Sequence, residues 1–355
     1  MLYDPSKTFA DNVAEGPFDI EAKDYRDPSE EPKYTFLGFP INFPFGIAAG
    51  SLPTSRHTAA AFRLGYDVVV YKTKRSGTFP CNPFPNVLPL QIEGDLTLEK
   101  LGKPIVVAKE YDKNLSNLSI TNSFGVPSDE PEDWIPDVRA ALVGAGSGQL
   151  LIMSVLGIIR EGASEDEYYQ DFAEAARSAL EAGARVIEVN LSCPNIASEG
   201  VVCYTRRAVH EICKRTKAAI GDAKLIIKVG YYTPDQQQLL EDIIADVSPY
   251  ISAVSAINTL QGTIVDANGE QALPGPGRLK SGVCGAGIRW AGLDMVRRLD
   301  ALRKREGYKY EIIGVGGVMT PTDFAEYRAA GADVVQAVTA PMWNSLLAQE
   351  IKAVV

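Results

Sequence analysis

The chain has 355 residues, of which 46% are hydrophobic and 23% charged, and its formal net charge is -10. No stretch approaches the roughly 18 uncharged apolar residues of a membrane span, and so acidic a chain repels a nucleic-acid backbone unless a local basic face compensates. Five cysteines, Cys81, Cys193, Cys203, Cys213 and Cys284, form no CxxC pair and cannot all pair, which argues against a disulfide framework or a zinc ribbon. The amino terminus lacks the basic-then-apolar order of a signal peptide, so a cytoplasmic protein without metal, membrane or nucleic-acid partners is expected.

Taken in chain order, residues 1–37 are acidic and turn-rich and read as an extension that wraps the following domain or stays disordered. Residues 38–355 read as one domain. A short apolar run at 45–49 precedes a helical pattern at 55–64, and a second at 66–72 opens a long irregular return. Runs at 149–156, 185–190 and 224–229 are followed by helical patterns at 166–182, 206–220 and 234–244. Runs at 251–258, 310–314 and 333–338 precede patterns at 287–304, 321–330 and a last helix reaching about 353. Eight strand-then-helix units predict an α/β fold of the single (β/α)8 TIM-barrel type, with a doubly wound open sheet as the competitor. Two insertions interrupt the alternation, 77–148 after strand 2 and 259–285 after strand 6. The second, rich in Gly and Pro, reads as a flexible connection across the barrel mouth.

The polar clusters fall where strands end, the place where barrel enzymes gather their chemistry. RVIEVNLSCPN (185–195) is a buried-strand pattern that breaks into Asn190, Ser192, Cys193 and Asn195. A free thiol has a pKa of about 8.5 and acts as a base near neutral pH if a cation helps, although many free cysteines are only small buried hydrophobes. Lys72 and Lys228 close apolar strands, which is costly unless each ammonium meets an anion, an electron-rich ring edge or solvent. Lys72, Lys74 and Arg75 form the densest basic cluster, large enough for one small anion. Glycines 314, 316 and 317 end the seventh strand, and VVQAVTA (334–340) ends the eighth; loops at these positions commonly cradle phosphate, although glycines are also ordinary turn formers. Asn122, Asn190, Asn195 and Asn258 with Thr259 offer both donors and acceptors, matching the edge of an imide ring. Any one of them can equally be a turn former or cap. His57 and His210 lie in helical patterns without an acid partner and receive no role.

With these residues assembled, the chain resembles the dihydroorotate dehydrogenases over about residues 45–339, and NLSCPN is the most specific part of the likeness. The resemblance is to the class 1 branch, which uses cysteine as its base. It implies an FMN-dependent oxidation of dihydroorotate to orotate in pyrimidine biosynthesis by a homodimer. Cys193 would be the base, and Lys72 would contact both substrate and flavin. Asn122, Asn190, Asn195, Asn258 and Thr259 would hold the pyrimidine. Ala49, Gly50, Lys72, Asn190, Lys228, Gly285, Gly316, Gly317 and Thr339 would hold the cofactor. The electron acceptor would be fumarate or a partner iron–sulfur flavoprotein. Val338 stands where a phosphate-loop glycine is usual, though its N–H can still donate. Two alternatives stay open: a dihydropyrimidine dehydrogenase-like enzyme acting on uracil or dihydrouracil, and a non-catalytic FMN-binding barrel.

Overall fold

Runs such as Val68-Val69-Val70 and Leu150-Leu151-Ile152 are apolar at every position because both faces of the sheet they form are covered. In the computed structural model, which describes residues 1–21, 24–25, 31–192 and 202–354, these runs become strands of a closed parallel barrel. In chain order the strands are β1 (Tyr34–Phe36), β2 (Phe39–Ile41), β3 (Phe45–Ile47), β4 (Val68–Arg75), β5 (Ile105–Val106), β6 (Ser119–Asn122) and β7 (Leu150–Leu156). There follow β8 (Val186–Asn190), β9 (Lys224–Val229), β10 (Ala253–Ala256), β11 (Leu260–Val265), β12 (Lys280–Gly285), β13 (Glu311–Val315) and β14 (Val334–Ala337). The barrel takes β3, β4, β7, β8, β9, β10, β13 and β14, and β14 closes on β3.

Inward side chains from these strands, among them Val68, Val70, Ile152, Val186, Ile226 and Ile313, form one buried cluster together with Phe36, Leu37 and Ile41 of the β1–β2 hairpin. The hairpin therefore plugs the end where the strands begin, and Leu37 N–H donates to Glu311 at the start of β13. A second, larger cluster lies between the strands and the outer helices. Glu165–Glu181 shows how those helices are specified. Ser164 and Glu167 form a capping box at its start, and Tyr168, Phe172, Ala175, Ala176 and Ala179 recur at helical spacing on the face it buries.

Three segments depart from the sequence reading. Strand β4 runs on through Lys74 and Arg75, because Lys74 Nζ meets Asp129 at 3.1 Å and the buried Arg75 guanidinium donates to the carbonyls of Val126, Gly125 and Gly157. The basic cluster is thus largely spent on structure, and only Lys72 of the three faces the cavity described below. The last helix is split into Thr339–Trp343 and Leu347–Val354, where the Asn344 side chain turns back to accept from Leu346 N–H at 3.1 Å. Residues 259–285 are not a loose connection. Their strands β11 and β12 pair with each other and with β5 and β6 from 77–148, giving a four-stranded sheet in the order β5-β11-β12-β6. Arg278, buried, fastens the two insertions by donating to Pro83 O, Pro85 O, Ser123 O, Ser123 Oγ and Pro274 O.

Candidate active site

The carboxyl ends of the barrel strands and the inserted sheet enclose a cavity of about 790 Å³, counting the space open to solvent at its mouth. That volume falls within the range of small-molecule and cofactor sites. Ala49, Gly50, Lys72, Asn122, Lys228, Asn258, Thr259, Gly285, Gly316, Gly317 and Thr339 all line it. The sequence reading thus named residues from eight separate stretches of chain that the fold brings to one cavity. Asn190 does not line it, and Cys193 and Asn195 lie outside the described residues.

Each lining residue is held by its strand or by the segment that follows. Lys228 sits on β9 and is 4% exposed, and no carboxylate among the described residues pairs with its ammonium. A buried cation in that position calls for an anionic or electron-rich ligand. Beyond β10 the backbone stays gripped on both sides, with Ile257 N–H donating to Val315 O at 2.7 Å and Asn258 N–H to Val229 O at 2.9 Å. The Asn258 side chain is also fixed. Its amide donates to Ser192 O at 2.7 Å and Asn190 Oδ1 at 3.2 Å, and its own Oδ1 accepts from Thr259 N–H at 2.8 Å. Asn190 Oδ1 accepts from Ser192 N–H as well. Asn190 is thus a strut beneath Asn258, and it ties the end of β8 and Ser192 to the segment that follows β10.

The opposite chemistry is found where β13 and β14 end. Gly317 has φ +70°, and a Cβ there would lie 2.6 Å from the backbone nitrogen of Arg289, so only glycine fits this turn. A Cβ on Gly50 would come within 2.6 Å of Val338 Cγ1. Val338 is accommodated because Gly50 lacks a side chain opposite it. Three residues that line the cavity carry hydroxyls, Tyr3 OH, Ser51 Oγ and Thr259 Oγ1, that are buried without a hydrogen-bond partner among the described residues. Orphaned donors beside a buried ammonium and a glycine turn fit a ligand that carries ring carbonyls and an anionic tail.

A family model described as dihydroorotate dehydrogenase matches residues 33–354. The chain belongs to the dihydroorotate dehydrogenase family. It is 35% identical over 363 aligned positions to a dihydroorotate dehydrogenase of Dictyostelium discoideum, covering 98% of this chain and 96% of that protein. The catalytic subunit of a dihydroorotate dehydrogenase B (NAD(+)) from Trichlorobacter lovleyi is 34% identical over 54% of this chain and 58% of its own length. A dihydroorotate dehydrogenase A (fumarate) from Lactiplantibacillus plantarum is 31% identical over 49% of this chain and 53% of its own length. No helix among the described residues is long and apolar enough to cross a membrane.

Several lining residues had not been singled out in the sequence: Tyr3, Ser51, Phe124, Cys284 and Met342. Burial pushes the Cys284 thiol up to about 11, so it stays protonated near neutral pH and is no base. Cys203 is buried and pushed up to about 12, and it accepts from Gly230 N–H, a structural role. Ser51 directly follows Ala49 and Gly50 at a strand end, a signal that was legible. Tyr3 had none, since it stands alone in a polar, turn-rich segment.

Proposed function

We propose that the chain oxidises dihydroorotate to orotate with FMN held across the barrel mouth. The observation that carries this reading is the convergence on one cavity of two buried lysines, the Asn258–Thr259 pair and the glycine turn after β13, with Asn190 and Ser192 bonded to Asn258. Ala49 and Gly50 would lie against the flavin ring, Lys228 would balance negative charge on it, and Gly285, Gly316, Gly317 and Thr339 would hold its phosphate tail. Bound FMN would supply the acceptor for the hydride leaving C6 of the substrate.

The remaining work falls to the chain. Asn122, Asn195, Asn258 and Thr259 would hydrogen-bond the ring carbonyls and N–H groups, which orients the ring and makes its C5 proton more acidic. Asn190 would keep Asn258 in place through the bond at 3.2 Å. Cys193, next in sequence to Ser192, would take the C5 proton as thiolate. Lys72 would meet the carboxylate that distinguishes dihydroorotate from dihydrouracil.

The purified protein is expected to be yellow and to bleach when anaerobic dihydroorotate is added. Cys193→Ala is expected to keep its flavin and to bleach about 100- to 10,000-fold more slowly. A colourless protein that does not take up riboflavin phosphate defeats the proposal, and so does turnover of dihydrouracil alone. Because the matched relatives include one named for fumarate and others named for NAD(+), adding each acceptor to the bleached enzyme identifies the partner of the second half-reaction.

A further inference from the structure

The amino-terminal segment carries a phenol into the cavity wall. Leu2 and Tyr3 are buried, and the turn that follows is fixed by Asn12, whose amide donates to Asp4 O and Thr8 O at 2.9 Å each while its oxygen accepts from Asp4 N–H at 2.8 Å. Helix Phe9–Glu15 begins at a Thr8–Asp11 capping box. Arg56, on the first helix after the barrel opens, clamps its end by donating to Val13 O at 2.7 Å and Ala14 O at 2.9 Å. These contacts set Tyr3 edge-on against Phe124, with ring centroids 5.8 Å apart. Lys72 Nζ lies 5.1 Å from the centre of the same Phe124 ring and 5.8 Å from that of Phe9.

Tyr3, Lys72 and Phe124 all line the cavity, and the Tyr3 hydroxyl is buried with no hydrogen-bond partner among the described residues. A buried tyrosine hydroxyl ordinarily finds a partner. Burial also holds the phenol well above its usual titration range, so at neutral pH it can donate. A donor with nothing to donate to, in a cavity wall shared with an ammonium, suits an anionic oxygen, and hydrogen bonds to charged acceptors are the stronger ones.

We propose that Tyr3 donates a hydrogen bond to the carboxylate of the bound pyrimidine beside Lys72, so that the amino-terminal segment contributes a specificity-determining residue to the site. This rests on the dihydroorotate reading given above. Tyr3→Phe keeps the ring packed on Phe124 and removes only the hydroxyl. Titrating the oxidised holoenzyme with orotate, followed by flavin absorbance, is expected to give a Kd about 10- to 100-fold higher in Tyr3→Phe than in the unaltered protein. The KM for dihydroorotate is expected to rise in step while kcat and flavin content change little, as for the loss of an interaction made equally in ground and transition states. Equal orotate affinity in the two proteins overturns the inference, and so does a Tyr3→Phe variant that loses flavin together with orotate, since the hydroxyl would then support the cofactor or the fold rather than the pyrimidine carboxylate. Failure of the unaltered protein to bind orotate at all overturns the dihydroorotate reading itself, and this inference with it.

Discussion

Acidification is expected to loosen the seam between the amino-terminal segment and the barrel, and His57 sets the pH range. Its ring is fully buried on helix Ser55–Arg63, with Nδ1 2.7 Å from Thr54 Oγ1. Nε2 has no partner among the described residues and faces Gly16, where a Cβ would lie 2.6 Å away. Burial drives the His57 pKa down to about 4, Arg56 pushes the same way, and Asp137 opposes both. In the unfolded chain the ring titrates near about 6.5. Between those values the unfolded state binds the proton and the folded state refuses it. The contribution is therefore complete above about pH 6.5 and is lost progressively as pH falls toward about 4. Integrated from pH 7 to pH 5, the loss is about 2 kcal/mol, a large share of a typical domain's stability. Urea unfolding of the unaltered protein and His57→Gln across that range isolates the effect, because the carboxylates titrate alike in both. The unaltered protein is expected to lose about 2 kcal/mol more than the variant. Parallel pH profiles would refute the reasoning and show that the buried ring does not resist protonation.

Two further outcomes test the cavity walls. Gly50→Ala forces a methyl against Val338 and is expected to cost about 1–3 kcal/mol and lower the flavin content, while Val338→Ala in the same chain should restore both. A double-mutant cycle in unfolding free energy checks this, and strictly additive costs would show that the two side chains do not compete for the space. Arg278→Met strips five hydrogen bonds from carbonyls and a hydroxyl of the two insertions and is expected to cost about 3 kcal/mol, read by urea unfolding. A loss well below about 1 kcal/mol would mean that the paired strands hold the insertions without the clamp.

The barrel was legible because parallel strands covered on both faces read as unbroken apolar runs, and the helices between them carry their own period and caps. Legibility failed where polar groups are satisfied at a distance. Nothing near Lys74 and Arg75 announces that β4 continues through them, since Asp129 and the Val126 carbonyl lie more than fifty residues further along the chain. The same holds for residues 259–285, where the Gly and Pro content suggested looseness but the partners that order the segment belong to the other insertion. Of the site, the residues at strand ends could be named from sequence, because strand direction alone places them at the mouth. The strut role of Asn190 depends on contacts with Asn258, a residue two strands away, and could not be read from its own surroundings.

The site therefore divides by origin. Lys72 and Lys228 ride on barrel strands, and Asn258, Gly316 and Thr339 follow directly from strand ends, so their spacing is set by the barrel's own register. Asn122 and Gly285 come from the inserted sheet, where β6 pairs with β12 and Asn122 lies opposite Gly282. Tyr3 arrives from the amino terminus and leans on Phe124, two residues beyond Asn122. The residues assigned to the flavin thus belong mostly to the barrel, whereas Asn122 and Tyr3, assigned to the pyrimidine, belong to the insertions, which Arg278 joins to each other, and to the amino-terminal segment, which Asn12 braces internally and Arg56 clamps to the first barrel helix. Substrate preference can consequently be altered through those fastenings while the cofactor end keeps its geometry, because changing a loop clamp leaves the strand register untouched.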